Sequence, residues 1–270
     1  MDTKALKKQM GAAIAMVLVA AIALGSATFA WFVTNNEVKA TTSTISAQSN
    51  AAFMTIEKGT TGAKNTNQSE VTTDVKTKAL YPATFGEETK ATLGKFSTGY
   101  GSGVSDSTLK GDLHLCSDPT SANAEAGSAA AAVNGDFALQ QDYNISTRGQ
   151  KLTALQIKEV TGETNDSGLK TAQRILVTNN DGTKWEVWGL NTAGNAYERK
   201  LSSNQSSSAD AADKVTFADS ITSDSETVVH VYLYYEGKDT NVTTQNLQQS
   251  NLTATNAVTV TFTANADNKQ

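Results

Sequence analysis

The chain has 270 residues, 39% hydrophobic and only 18% charged, with a net charge of −5. One cysteine excludes a scaffold of intrachain disulfides, and two histidines leave little material for metal centres or histidine-based catalysis. The acidic balance, with a pI near 5.1, excludes the clustered cations by which proteins displace counterions from nucleic acid.

The N-terminus carries Lys4, Lys7 and Lys8, then an uncharged apolar run from Met10 to Leu24, then Gly25-Ser26-Ala27-Thr28-Phe29-Ala30. This is the layout of a secretory signal over residues 1–30. Small residues at −3 and −1 permit cleavage after Ala27 or after Ala30. The uncharged stretch continues to Thr34, long enough to span a bilayer, so retention as a membrane anchor is the alternative. A type IV pilin would also keep such a helix, but no glutamate occurs before Glu37. The sequence therefore predicts a secreted, extracellular protein of the cell surface or matrix. It would meet the membrane only through its N-terminal segment before cleavage.

Thr28-Phe29-Ala30-Trp31-Phe32, a polar turn, Ala40-Thr41 and a strand of small residues follow in order. This pattern resembles the start of TasA/camelysin-type exported proteins of Gram-positive bacteria. Asn35-Asn36 and Ser43-Thr44-Ile45 depart from the family's usual Asp and Gly-Thr-Leu. The resemblance covers about the first fifth of the chain and implies a secreted filament subunit. Camelysin-type proteins also carry a metalloprotease label. The HExxH helix that a zincin needs is absent here, so the label does not transfer.

Beyond the signal, the expected domain covers 31–270, with a polar insertion around 59–150. Ile45 and Ala52–Ile56 supply early strand material. Residues 59–78 and 97–108 read as polar loops, surface strands or short helices, and Ala122–Val133 as at most a short surface helix. Leu152–Val160 is an expected strand with Leu155 and Ile157 on one face. Arg174–Thr178 and Lys184–Trp188 flank Asn179-Asn180-Asp181-Gly182, a strong hairpin signal because the turn needs φ > 0. Val228, His230, Tyr232 and Tyr234 alternate with Val229, Val231, Leu233 and Tyr235, which suits a central strand apolar on both faces. VVHVYLYYEGKD, a polar loop and AVTVTFTA are similar to the closing strand pair of surface proteins of Firmicutes, and imply a cell-surface context. Many short strands, few helices and strand signals at both ends predict an all-β, antiparallel β-sandwich, jelly-roll or Ig-like, with long polar insertions.

No catalytic constellation, cofactor site or metal site is expected. His114 shares a face with Asp112 and Cys116 if 112–116 is a strand, but three residues without a second cluster fall short of a zinc site. Cys116 on that face leans towards exposure, against the usual burial of cysteine. His230, between Val229 and Val231, reads as a core or sheet-surface residue. The Asn-x-Ser/Thr triplets at Asn67, Asn144, Asn165, Asn204, Asn241 and Asn251 read as plain surface polarity.

The leading functional expectation is a non-enzymatic structural subunit. Its N-terminal strand would add to the sheet of the next identical subunit, with Trp31, Phe32, Val33, Val38 and Ile45 as donor anchors. The same segment could equally fold back into its own chain. The alternative is a monomeric adhesin or carbohydrate-binding module using Trp185, Trp188, Tyr232, Tyr234 and Tyr235 as an aromatic platform, although core packing explains those residues as well.

Overall fold

In the computed structural model the described residues are 39–43, 45–49, 53–72, 76–86, 94–99, 113–121, 123–164, 169–204, 214–242 and 257–267. The strands run β1 (Lys39–Ser43), β2 (Ile45–Ser49), β3 (Met54–Lys58), β4 (Glu70–Thr72), β5 (Lys76–Ala79), β6 (Thr84–Phe85), β7 (Phe96–Thr98) and β8 (His114–Leu115). One short helix follows, α1 (Ala129–Asn134). Then come β9 (Ala138–Thr147), β10 (Leu152–Gly162), β11 (Gln173–Asn179), β12 (Trp185–Leu190), β13 (Tyr197–Ser202), β14 (Ala218–Ile221), β15 (Thr227–Tyr235) and β16 (Val258–Ala266). The chain is mostly strand, paired mainly antiparallel, in keeping with the all-β expectation.

The six-stranded sheet, in the order β13-β12-β11-β15-β9-β3, is antiparallel throughout. Its β11–β12 hairpin forms where Asp181-Gly182 was expected to turn the chain. Gly182 takes φ +71°, and Asp181 Oδ1 accepts bonds from the Thr183 N–H and hydroxyl at 3.0 and 2.6 Å. β15 is central, and its alternation puts Val229, Val231, Leu233 and Tyr235 on one face and Tyr232 and Tyr234 on the other. All six are buried.

The five-stranded sheet has the order β14-β10-β16-β2-β4. Its β2–β16 pair is parallel, with Ile45 opposite Val258 and Ser49 opposite Phe262. Such pairing cannot be closed by a tight turn and needs a crossover. Here nearly the whole chain lies between the two strands. β10 departs from simple alternation. Leu152, Leu155, Ile157 and Val160 are all buried, although a regular strand would turn Leu152 and Val160 away from Leu155 and Ile157. Register shifts against β16 between Thr153 and Gln156, and again between Ile157 and Glu159, reset the phase. Ala154 sits at the first with φ +55°.

Ile157, Val160, Val260 and Phe262 of the five-stranded sheet share one core cluster with Ile175, Val177, Val229 and Val231 of the six-stranded sheet. Each such side chain contributes on the order of 1.5–3 kcal/mol by leaving water. The other face of the six-stranded sheet is covered too. The three-stranded sheet β6-β7-β8 and α1 bring Phe85, Phe96, Cys116 and Ala132 against Leu176, Trp185, Tyr232 and Tyr234. Phe85 meets Trp185 edge-on with centroids 5.0 Å apart, and Phe96 meets Tyr234 at 5.3 Å.

Several expectations change in detail. Within 59–150, β4 and β9 belong to the large sheets, while the separate three-stranded sheet lies between Thr84 and Leu115. The start of the polar stretch 59–78 is an ordered turn. Ala63 N–H donates to Asn144 Oδ1 at 2.5 Å, Thr55 Oγ1 donates to Ala63 O at 2.7 Å, and Gly62 N–H donates to Glu226 Oε1 at 2.7 Å. Asn144, one of the Asn-x-Ser/Thr residues, is thus buried and structural. The helix of Ala122–Val133 is confined to α1, capped by Ser128 Oγ at 3.1 Å from Ala131 N, and it buries Ala131 and Ala132 instead of lying free on the surface.

Candidate functional sites: the N-terminal strand and a polar cleft

Of the expected donor anchors, Trp31, Phe32, Val33 and Val38 lie outside the described residues, as does the apolar run 10–34. Among the described residues no helix is long and apolar enough to cross a membrane. Ile45 begins β2, which occupies the slot between β16 and β4 of its own chain. β3 follows at an edge of the other sheet, with Met54 and Ile56 buried in the shared core. The early strands therefore divide: β1 pairs with β5 in a separate two-stranded sheet, and β2 and β3 each enter one large sheet.

The proposed aromatic platform is internal. Trp185, Tyr232 and Tyr234 pack in the cluster beneath the three-stranded sheet, and Trp188 and Tyr235 pack in the main core. Trp188 is the most exposed of the five at 8%. The two tryptophans face opposite ways, as alternation requires, but each face has its own cover. The sequence could not announce the second layer, because its strands β6, β7 and β8 have only two or three residues each.

The structure decides between the two sides left open for Cys116. β8 stops at Leu115, so Cys116 does not continue the face of His114. It turns inward, fully buried, while His114 is exposed. Its N–H donates to Phe96 O at 3.0 Å, and burial pushes the thiol up to about 12. A thiol so placed is neither a surface cross-linker nor a nucleophile at neutral pH. Among the described residues no group of three His, Cys, Asp or Glu could hold a metal ion.

Buried charge appears where sequence gave no sign of it. Glu186 of β12 is fully buried, 3.1 Å from Arg199 Nε of β13. Its carboxylate also accepts from Trp188 Nε1 at 2.9 Å and Val215 N–H at 2.8 Å. The Arg199 guanidinium lies 5.2 Å from the Trp188 ring centroid. Three strand or loop segments converge on one carboxylate, so its role is structural.

His230 is half-buried on β15, directly across from Asp142 of β9. Nδ1 lies 2.7 Å from Asp142 Oδ1, and Gln140 Nε2 donates to the same oxygen at 2.6 Å. The ring borders a cleft of about 290 Å³ where the covering layer ends against the sheet. Tyr232 and Leu176 form its floor with Phe85 above, while Lys95, Glu125 and the Asn180–Gly182 turn form its rim. Burial, aided by Asp142, pushes the Tyr232 hydroxyl up to about 12, against a bond to Thr178. The side-chain bond from Thr183, with that residue's backbone N–H, holds the Asp181 carboxyl below its ordinary range. Alternation placed His230 on the sheet; its partner 88 residues away in sequence was not visible. No family model matches the chain, and no curated protein or solved structure matches it.

Proposed function

We propose that the protein is an exported structural subunit of a bacterial surface or matrix filament, built by strand exchange between identical subunits. In this reading residues 1–30 act as the export signal, and the two large sheets over one core form a β-sandwich. The observation that carries the proposal is the seat of β2. Among the described residues it is the one strand paired parallel to a neighbouring strand, β16, and it comes from the N-terminal region. Removing it leaves two facing strand edges, β16 and β4, whose free N–H and C=O groups need partners. A second copy of the same segment satisfies those groups equally well. Exchange that runs head to tail does not close, so a filament grows. The TasA/camelysin-like pattern around Phe29–Ile45 agrees with this reading. The monomeric adhesin remains the competing outcome.

Two measurements test it. Negative-stain microscopy compares a chain starting at Trp31 with one starting at Asn50, which keeps the core strand β3. Filaments from the first alone are expected; dispersed particles from both would remove the reading. Ser46 and Thr259 are Cα partners across β2 and β16, so the pair Ser46→Cys/Thr259→Cys reports the exchange directly. Buried Cys116 does not compete. A disulfide-linked ladder on a non-reducing gel is expected, whereas oxidised monomer would show that β2 serves its own chain.

A further inference from the structure

We infer that the cleft beside His230 receives a primary ammonium group carried on an alkyl stem. This site is independent of the filament reading. Its charge selects the ligand. Lys95 at the rim is neutralised by Glu125 at 3.0 Å. Asp181 at the opposite turn keeps a carboxylate with no lysine or arginine partner among the described residues. Asp142, behind His230, adds a second negative charge. An anion entering the cleft meets uncompensated carboxylates, so phosphates and acidic peptides are disfavoured.

The histidine sets the hydrogen-bond polarity. Asp142 can only accept, so Nδ1–H donates to it, and in that tautomer the ring's lone pair lies on Nε2, which accepts. Asp181 accepts as well. At these two groups the ligand brings donors, and an ammonium brings three with full charge, making bonds about twice as strong as neutral ones. The interior suits the stem: Leu176 and the rings of Phe85 and Tyr232 offer apolar surface, and aromatic rings attract a cation. At about 290 Å³ the cleft stands at the small end of ligand sites, which suits a chain end rather than a nucleotide or an oligosaccharide. The amine can be a free alkylamine or a lysine side chain of a second copy.

The test uses the isotopically labelled full chain and follows backbone amide shifts. The probes are cadaverine, its neutral isostere 1,5-pentanediol and the dianion glutarate. Cadaverine is expected to shift amides of Thr178–Gly182 and His230–Tyr232 saturably. Pentanediol should bind at least about tenfold more weakly, the equivalent of one charge-assisted bond, and glutarate not at all. Asp181→Asn, on an exposed turn whose side-chain bonds an asparagine can keep, should weaken cadaverine about tenfold, and His230→Gln comparably. Glu70→Gln, outside the cleft, should leave binding unchanged. Equal binding of pentanediol, absence of cleft shifts, or indifference to both cleft variants would overturn the inference. Carbodiimide coupling in a mixture of light and heavy chains separates the sources. A light–heavy amide between a lysine and Asp181 identifies the second copy, and coupling to added cadaverine alone identifies a free amine.

Discussion

The two large sheets solve the same problem differently. The six-stranded sheet is buried on both faces, and its centre reads as a nearly continuous apolar run from Val228 to Tyr235. The five-stranded sheet buries Val258, Val260 and Phe262, while Thr259 and Thr263 on the other face of β16 stay half-exposed. The first sheet buries one carboxylate completely, at Glu186, and pairs it with Arg199. The second carries more irregularity: a parallel strand, two register shifts and a residue at positive φ, against one register shift between β12 and β13 in the first. The five-stranded sheet also holds the strand that the filament proposal needs to be replaceable.

The largest effect expected from breaking this contrast comes from Glu186→Ala. The substitution leaves Arg199, with a side chain only 10% exposed, without its carboxylate, and removes the acceptor for Trp188 Nε1 and Val215 N–H. Stranding one member of a buried ion pair costs about 3–5 kcal/mol. Urea denaturation should show that loss. The double variant Glu186→Leu/Arg199→Leu should recover much of it, because the desolvation penalty then disappears with both charges. If the single variant costs less than about 1 kcal/mol, as surface substitutions do, the Glu186 carboxylate does not hold the three segments together.

A smaller effect, with a pH signature, is expected at the end of β15. Glu236 follows Tyr235, accepts from Lys238 N–H at 3.1 Å and bridges to Ala83 in the covering layer. Burial raises its carboxyl above the ordinary 4.5, against a bond from Thr84 and the field of Arg174. The folded state thus prefers the protonated form. Its favourable contribution is present below the unfolded pKa and is lost as pH rises through the raised folded value. Glu236→Gln should therefore raise stability near neutral pH and flatten that part of the stability–pH curve. An unchanged curve would mean that the site is hydrated and its carboxyl unperturbed.

How much of this was legible varies with the range over which each signal acts. β15 could be read because alternation is a property of adjacent residues, and the β11–β12 hairpin because Asp181-Gly182 meets a local demand for positive φ. The side of Cys116 is open in the sequence, because alternation from Asp112 and the burial preference of cysteine point opposite ways; β8, only two residues long, ends before Cys116 and leaves it to the core. The burial of both Trp185 and Trp188 depends on a second layer assembled from strands too short to show a period. The Asp142–His230 and Glu186–Arg199 pairs, and the parallel seat of β2, join separate segments. No window of local sequence contains them.

The smallest and sharpest expectation concerns Ala154 in β10. Residues other than glycine pay roughly 1–2 kcal/mol in the left-handed region, and Ala154 sits there at φ +55°. Glycine removes that strain but loses about 0.5–1 kcal/mol of backbone entropy on folding. Ala154→Gly should thus stabilise by no more than about 1 kcal/mol. Ala154→Val should do the opposite, although valine is the better strand former, because a β-branched side chain fits positive φ worst. Side-chain propensity and backbone phase make opposite predictions here, so the sign of the valine variant decides between them. Destabilisation by valine would establish that the left-handed residue is what lets Leu152 and Leu155 both reach the core. Stabilisation would mean that β10 runs as a regular strand and that another distortion corrects its phase.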